Sequence, residues 1–290
     1  MGIAQVISEL LEKCQFKKFI ILDNFHNLNE EIQKALAFDL RLFQEKGYRF
    51  IILGVWREKN RLIQFNGDLV DRIMEIPVEP WVEHEFKTVI DNGCAHLNIS
   101  IGTEIISRII SVAFGSIGTV QELCKELCFV AGIRVKTLSH FEINNQDFIE
   151  QAIKIKVEEY SSRHLRALES IATAGVQVQG LSMPYYVIRT IIEMDITDLL
   201  DGLSRMDLQD KIKAIHYRPD SVRPSDISYV LHGLSEIQNN KIIVPPLLDY
   251  DRLNRRLRII DSTLFFFLKF KNKQELLEEI PSPLDNDRER

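Results

Sequence analysis

The sequence has little of what a membrane protein, a secreted protein or a thoroughly basic nucleic-acid-binding protein would need. Its clean apolar runs, such as residues 264–268, are far too short to cross a bilayer. The first residues form no basic and apolar secretion signal, so we expect a cytoplasmic protein without a membrane segment. The net charge of −6, from 36 basic and 42 acidic residues, argues against a surface that is basic all over, but it leaves room for a local basic patch.

Cysteine is also scarce. The four cysteines, Cys14, Cys94, Cys124 and Cys128, show no spacing typical of a disulfide framework in a chain of 290 residues. Cys94 and His96 form only a weak ligand pair, and a zinc site needs four ligands arranged in closed pairs. The pattern therefore predicts buried thiols rather than a metal site.

The first part of the chain reads as strand, helix, strand. The apolar run at residues 19–22 predicts a strand that ends at Asp23, and residues 28–45 carry apolar side chains at helical spacing. Gly47 is placed to end this helix, and residues 48–56 form a second apolar run. Such runs suit strands buried on both faces of a parallel sheet, joined by a right-handed crossover.

The rest of the chain is predominantly helical. Residues 83–155 show four helical periods and no convincing strand, and helices continue from about residue 160. A helix over residues 225–238, with Ser225 as its N-cap, is followed by predicted strands at 241–244 and about 257–260 and by a helix at 262–271. We expect an α/β domain at 1–82, a helical domain at 83–155, a third domain at 156–275 and a disordered tail at 276–290.

The motif FIILDNFH at residues 19–26 resembles the Walker B element of P-loop NTPases, in which an apolar strand delivers an aspartate to a magnesium ion. The order of elements over residues 1–155 resembles the second half of an AAA+ or STAND-type ATPase core followed by its helical lid. The resemblance implies a partial parallel-sheet core, with Asp23 as the magnesium-side carboxylate and Asn24 in the position of the catalytic acid. Asp23 is alternatively a helix N-cap or turn residue.

The same resemblance suggests three further site residues. Arg72 would be an arginine finger that reaches a nucleotide held by a neighbouring subunit, and Trp56 lies in the sensor-1 region after Leu53. His26, just past Asp23, could face the nucleotide or serve only in packing. The alternative for Arg72 is a surface salt bridge with Asp68 or Glu75.

The phosphate loop of this family, GxxxxGK[ST], does not occur at any of the 13 glycines. The segment GSIGT at residues 115–119 lacks the lysine and follows the Walker B element instead of preceding it. Only 18 residues precede Phe19, too few for the missing strand, loop and helix. Asn24 replaces an acid that would accept a proton from water.

Three explanations fit this departure: a degenerate ATPase-like subunit, the C-terminal part of a longer or split ATPase, or a false resemblance. In the first two cases we expect the chain alone to hydrolyse no ATP. ATP and Mg²⁺ would bind only if a missing segment or a P-loop-containing partner supplied the loop. The partner would be another copy in a homo-oligomer or a different subunit in a hetero-oligomer.

Helices followed by two strands are typical of a winged helix, a domain common after AAA+ lids. The predicted wing carries Arg252, Arg255, Arg256 and Arg258 as candidate nucleic-acid contacts. The alternative is that these arginines pair with the three aspartates at positions 249, 251 and 261, which leave the segment with a charge of only +1. We expect weak DNA binding at most and protein contact as the main role.

Two other classes of function remain open: a DNA-binding winged-helix protein, and a helical interaction adaptor that uses no nucleotide. A serine or cysteine hydrolase is disfavoured, because the sequence has no GxSxG motif and its seven histidines are scattered. Nucleotide binding would distinguish an ATPase relative from an adaptor.

Overall fold

The computed structural model describes residues 2–54, 61–78, 81–174, 181–252, 254–280 and 282. The chain divides into two compact units, Met1–Pro77 and Val78–Arg290. The described residues are predominantly helical with small sheets, as the sequence predicts. No helix within these ranges is long and apolar enough to span a bilayer.

The first unit is built on the predicted strand–helix–strand element. Its helices and strands are α1 (Ile3–Lys13), β1 (Phe19–Leu22), α2 (Glu30–Glu45), β2 (Arg49–Ile52) and α3 (Arg61–Phe65). The two strands are parallel and adjacent, in a register that pairs Phe19 with Arg49 and Leu22 with Ile52. The Asn29 side chain caps α2 by accepting a hydrogen bond from the Ile32 amide at 2.9 Å, and Gly47 follows α2 with φ +83°. The predicted parallel pair is confirmed.

The expectation that both faces of this sheet are buried is wrong for the described residues. One face, with Leu22, Phe50 and Ile52, packs in a core with Ala37 and Leu40 of α2. The opposite face carries Phe19, Ile21 and Ile51, whose residues are 53%, 61% and 41% exposed. The continuous apolar run thus reflects one face that is covered by α2 and one that is open.

The second unit begins with helices, but it also contains a parallel strand pair. Its first elements are α4 (Glu83–Leu97), β3 (Ile99–Ile101), α5 (Thr103–Val112), α6 (Ile117–Val130) and β4 (Phe141–Ile143). β3 pairs with β4, and the Gly102 amide donates to the Ile143 carbonyl oxygen at 3.0 Å. The expectation of no strand in this region is wrong, because strands of three residues are too short to show a period.

A single helix crosses the boundary that the sequence places at residue 155. This helix, α7 (Gln146–Ala172), contributes Ile149 and Ile153 before the boundary and Leu168 and Ile171 after it to one hydrophobic core. The regions predicted as a lid and as a C-terminal domain therefore share a core in the structure.

The remaining elements combine helices with an antiparallel sheet. They are α8 (Met183–Glu193), α9 (Ile196–Leu200), β5 (Leu203–Ser204), α10 (Arg205–Ile215), α11 (Pro224–Asn240), β6 (Leu248–Asp251), β7 (Arg256–Ile259), α12 (Ser262–Phe270) and α13 (Lys273–Glu279). The strand order is β5-β7-β6, with β7 antiparallel to both neighbours. Three consecutive phenylalanines of α12 are fully buried, as expected for a core helix: Phe265, Phe266 and Phe267.

Three local predictions in this part need correction. Residues 241–244 form a turn rather than a strand, because Ile242 adopts φ +55° and the Ile243 amide donates to the Gln238 carbonyl oxygen at the end of α11. Ser225 does not cap α11, since the helix already begins at Pro224. Residues 276–280 do not belong to a disordered tail, because Leu276 and Ile280 are buried.

Candidate functional site

Asp23 directly follows β1, at the carboxyl end of the parallel pair. The strand pairing continues past β1 and β2, since the Leu53 amide donates to the Leu22 carbonyl oxygen and the Phe25 amide donates to the Leu53 carbonyl oxygen, each at 2.9 Å. Asp23 is exposed, and its Oδ1 accepts a hydrogen bond from the Asn24 amide at 2.7 Å. Its carboxylate is thus held at the end of the strand and is open to a ligand.

Asn24 and His26 form the turn that follows. Asn24 is exposed and has φ +56°, a left-handed conformation that asparagine adopts more readily than most residues. It precedes a short 3-10 turn, Phe25–Asn27, whose first residue is buried in the core of the first unit. Partial burial lowers the pKa of His26, and the nearby charge of Asp23 opposes that shift. Asp23 and His26 are therefore electrostatic neighbours.

Arg72 lies on the outside of the first unit. Its Nη1 donates to Oε1 of Gln44, in the last turn of α2, at 3.2 Å. Asp68, one of the two acids proposed to pair with Arg72, instead forms an ion pair with Arg41 at 2.5 Å. These residues line an open depression of about 650 Å³ together with Gly67, Val70 and Asp71.

The topology separates Arg72 from Asp23. α2 begins near the carboxyl end of β1 and returns the chain to the start of β2, so Gln44 lies near the amino-terminal ends of the two strands. Arg72 contacts Gln44, whereas Asp23 lies at the carboxyl-terminal ends of the strands. The structure does not bring the two residues into one site, so an arginine-finger role for Arg72 remains a prediction that needs a neighbouring molecule. Trp56, the remaining candidate, lies outside the described residues.

The four hairpin arginines divide into two pairs. Arg256 donates from Nη1 to the carbonyl oxygens of Asp201, at 3.2 Å, and Gly202, at 2.8 Å. Arg258 lies opposite Asp249 across β6 and β7, and its Nε is buried without a hydrogen-bond partner among the described residues. Arg252 and Arg255, in contrast, lie exposed in the turn between the two strands.

Two of the three neighbouring aspartates have partners outside the arginine set. Asp251 is buried and accepts hydrogen bonds from the Asn254 backbone amide and side-chain amide at 2.8 and 2.6 Å. Asp261 pairs with Arg163 of α7 at 2.7 Å. These aspartates therefore do not neutralise all four hairpin arginines.

Sequence reasoning missed Arg205, the first residue of α10. Its amide donates to the Arg255 carbonyl oxygen at 3.0 Å, and its Nη1 donates to Ser228 Oγ of α11 at 3.0 Å. Fifty residues separate Arg205 from Arg255 along the chain. Only the pairing of β5 with β7 brings them together, so no local sequence signal could have revealed this neighbourhood.

The cysteines form no metal site among the described residues. Cys128 is buried, Cys94 and Cys124 are half-buried, and Cys14 is exposed. Burial raises the pKa of Cys94 to about 11 and that of Cys124 to about 12, which keeps both as unreactive thiols near neutral pH. The expectation of buried thiols is confirmed for Cys128, holds in part for Cys94 and Cys124, and is wrong for Cys14.

Comparison with known proteins identifies no family by sequence: no protein-family model matches the chain, and no curated protein matches it. Among solved structures, the Thermotoga maritima RuvB Holliday junction branch migration motor is 14% identical, with a TM-score of 0.39 over 94% of this chain and 76% of that chain. Cdc6p from Pyrobaculum aerophilum is 12% identical, with a TM-score of 0.36 over 95% of this chain and 70% of that chain.

TM-scores below 0.5 at this identity do not by themselves establish a fold family, an activity or a ligand for this chain.

Proposed function

We propose that this chain is an ATPase-related regulatory or assembly module, whose nucleotide site is completed by a P-loop on another segment or subunit. The observation that carries the proposal is the exposed Asp23 carboxylate at the carboxyl end of the parallel β1–β2 pair, tied to the strand by the Asn24 amide. In α/β sheets, ligands bind at this end of the strands. If a nucleotide were bound there, Asp23 would face its magnesium ion and His26 would stand beside it.

The proposed partner would also cover apolar surface. Phe19, Ile21 and Ile51 on the open face of β1 and β2 are exposed, although parallel sheets are ordinarily covered on both faces. In the described first unit, β1 and β2 each have one edge without a strand neighbour. A P-loop segment that adds a strand and a helix would bury both the face and an edge.

The test is a phosphate-release assay on the isolated chain with Mg·ATP. We expect a rate at the buffer background, because Asn24 cannot accept a proton from the attacking water and the sequence holds no GxxxxGK[ST] loop. Asp23→Ala should leave that background unchanged. A measurable rate that Asp23→Ala abolishes would contradict the proposal. Failure of any P-loop-containing complex of this chain to bind labelled ATP would favour the adaptor alternative.

For the C-terminal region we propose a winged helix that contacts a target. The order of α8, β5, α10, α11 and the β6–β7 hairpin, with the sheet order β5-β7-β6, supports this assignment. DNA is the second candidate target, favoured by the exposure of Arg252 and Arg255 in the hairpin turn. A cytoplasmic location and a homo- or hetero-oligomeric state are part of the same proposal.

A further inference from the structure

Arg205, from a distant part of the chain, lies with Arg252 and Arg255 in the neighbourhood of Tyr250 of β6. Arg205 begins α10, and Arg252 and Arg255 lie in the β6–β7 turn. The Arg205 amide is bound to the Arg255 carbonyl oxygen, which fixes the two residues side by side. The charges of all three arginines act on the buried Tyr250 hydroxyl, where they oppose the rise in its pKa caused by burial.

Two large apolar side chains are exposed at positions that adjoin this cluster in sequence. Met206 follows Arg205 in α10 and is 70% exposed. Tyr229 follows Ser228, the residue that accepts the hydrogen bond from Arg205, and is 72% exposed. Exposed apolar side chains next to clustered arginines are typical of protein interfaces, in which aromatic residues, methionine and arginine are enriched.

We propose that Arg205, Met206, Tyr229, Arg252 and Arg255, here called the arginine surface, bind an acidic segment of a partner protein that also carries apolar side chains. The inference rests on the proposed target-contacting role of the C-terminal region, and it is independent of the nucleotide proposal. The guanidinium groups would pair with carboxylates, while Met206 and Tyr229 would contact the apolar residues between them.

Charge favours an acidic protein segment over duplex DNA. The neighbouring helix α11 contains no lysine or arginine between its caps, Arg223 and Lys241, and Glu236 on its surface is exposed. A DNA-reading helix needs basic or amide side chains for phosphates and base edges, and the exposed amides of α11, Asn239 and Asn240, are confined to its last turn. Three arginines would also release few counterions from a duplex, so DNA binding would be weak at physiological salt.

The test uses the full chain and fluorescence anisotropy with three labelled probes: a peptide of alternating glutamate and leucine, the same peptide with glutamine in place of glutamate, and a short DNA duplex. At physiological salt we expect the acidic peptide to bind more tightly than either other probe. Equal binding of the neutral peptide, tighter binding of the duplex, or no binding of the acidic peptide would overturn the proposal.

Matched variants locate the binding. Arg205→Gln with Arg255→Gln should weaken peptide binding about fivefold through the loss of two surface charge contacts. Lys154→Gln with Lys211→Gln makes the same change in charge at exposed positions of α7 and α10 and should have little effect. Tyr229→Ala should weaken binding without changing its salt dependence. Equal effects of the arginine and lysine pairs would refute the arginine surface while leaving the ATPase proposal intact.

Discussion

Gln238 is fully buried near the end of α11, and its side chain joins the helix to β6. Oε1 accepts hydrogen bonds from the Leu247 and Leu248 amides at 2.8 and 3.0 Å. Nε2 donates to the Leu248 and Leu234 carbonyl oxygens at 2.8 and 3.2 Å. One side chain thus satisfies backbone groups at the start of β6, just after the segment at residues 241–244 that the sequence wrongly predicted as a strand.

We therefore predict that Gln238→Leu lowers the free energy of unfolding of the second unit by about 3 kcal/mol, because it leaves buried backbone groups unsatisfied. Urea unfolding followed by the fluorescence of Trp81, in a Trp56→Phe background, would measure the change. Gln151→Leu, at an exposed position of α7, is the control and should change stability little. A loss no larger than the control's would show that the network is dispensable.

His164 of α7 is fully buried, and its Nε2 lies 3.0 Å from Thr263 Oγ1. Thr263 Oγ1 donates to Asp261 Oδ1 at 2.6 Å, and Arg163 pairs with the same carboxylate. Burial lowers the pKa of His164 to about 4, while the charge of Asp261 opposes this shift and that of Arg163 reinforces it. The imidazole is therefore neutral in the folded protein at pH values at which it is charged in the unfolded chain.

This shift predicts a loss of stability in mild acid. Above pH 6.5 His164 is neutral in both the folded and the unfolded chain, so it does not lower the free energy of unfolding. As pH falls toward 4, the unfolded chain takes up a proton at His164 that the folded chain does not. This uptake lowers the free energy of unfolding by about 3 kcal/mol in total. Comparing stability from pH 7 to 4 in wild type and His164→Gln isolates this group, since all other titratable groups are present in both proteins. His96→Gln, an exposed control, should keep the wild-type profile. Parallel profiles for wild type and His164→Gln would contradict the shift.

At the scale of elements, the sequence predicts well where the pattern is long. The helix before Gly47 and the strand before Asp23 are found within two residues of their expected bounds. β3 and β4 could not be predicted, since three residues carry no period, and residues 241–244 show why β-branched composition misleads. Their Ile-Ile-Val run favours a strand, but Ile242 turns left-handed to end α11.

Gly202 shows how closely β5 and β7 approach. It has φ +76°, and a Cβ at this position would lie 2.8 Å from both Arg258 Cγ and the Leu257 carbonyl oxygen. The backbone oxygen cannot move without disturbing the pairing of Leu203 with Leu257. Only glycine satisfies both the conformation and the close contact.

Gly202→Ala should therefore destabilise the second unit by about 2 kcal/mol and loosen the hairpin. Gly233→Ala is a matched control, because Gly233 lies within α11 with open space around it and should gain up to about 1 kcal/mol from helix propensity. Hydrogen exchange of the β7 amides would report the loosening. Unchanged exchange in Gly202→Ala would show that the sheet accommodates the methyl group.

At the scale of the whole molecule, the sequence predicts the position of a residue within its element better than its contacts with distant parts of the chain. The position of Asp23 follows from one local pattern, a strand followed by an acid. The separation of Arg72 from Asp23 depends on the path of α2, and the arginine surface depends on strand pairing between distant segments. Long-range contacts of this kind leave no trace in a single sequence without an alignment.

The path of α2 also sharpens the arginine-finger hypothesis. Arg72 lies near the amino-terminal ends of the strands, whereas Asp23 lies at their carboxyl-terminal ends. An arginine finger at Arg72 would therefore act on a nucleotide held by another molecule. In an ATPase complex that contains this chain, Arg72→Ala should reduce the catalytic rate about a thousandfold, the low end for arginine fingers, with little change in ATP affinity.

Arg72→Lys separates this role from a structural one. Lysine could replace the single hydrogen bond to Gln44, but it lacks the planar fork that contacts a transferring phosphoryl group, so it should not restore the rate. Lys13→Ala, at an exposed position of α1 in the same unit, is the control. Arg72→Lys with the wild-type catalytic rate, or an unchanged rate of the complex with Arg72→Ala, would refute the arginine finger. Arg72 would then serve only to hold Gln44, and other residues would complete the partner's nucleotide site.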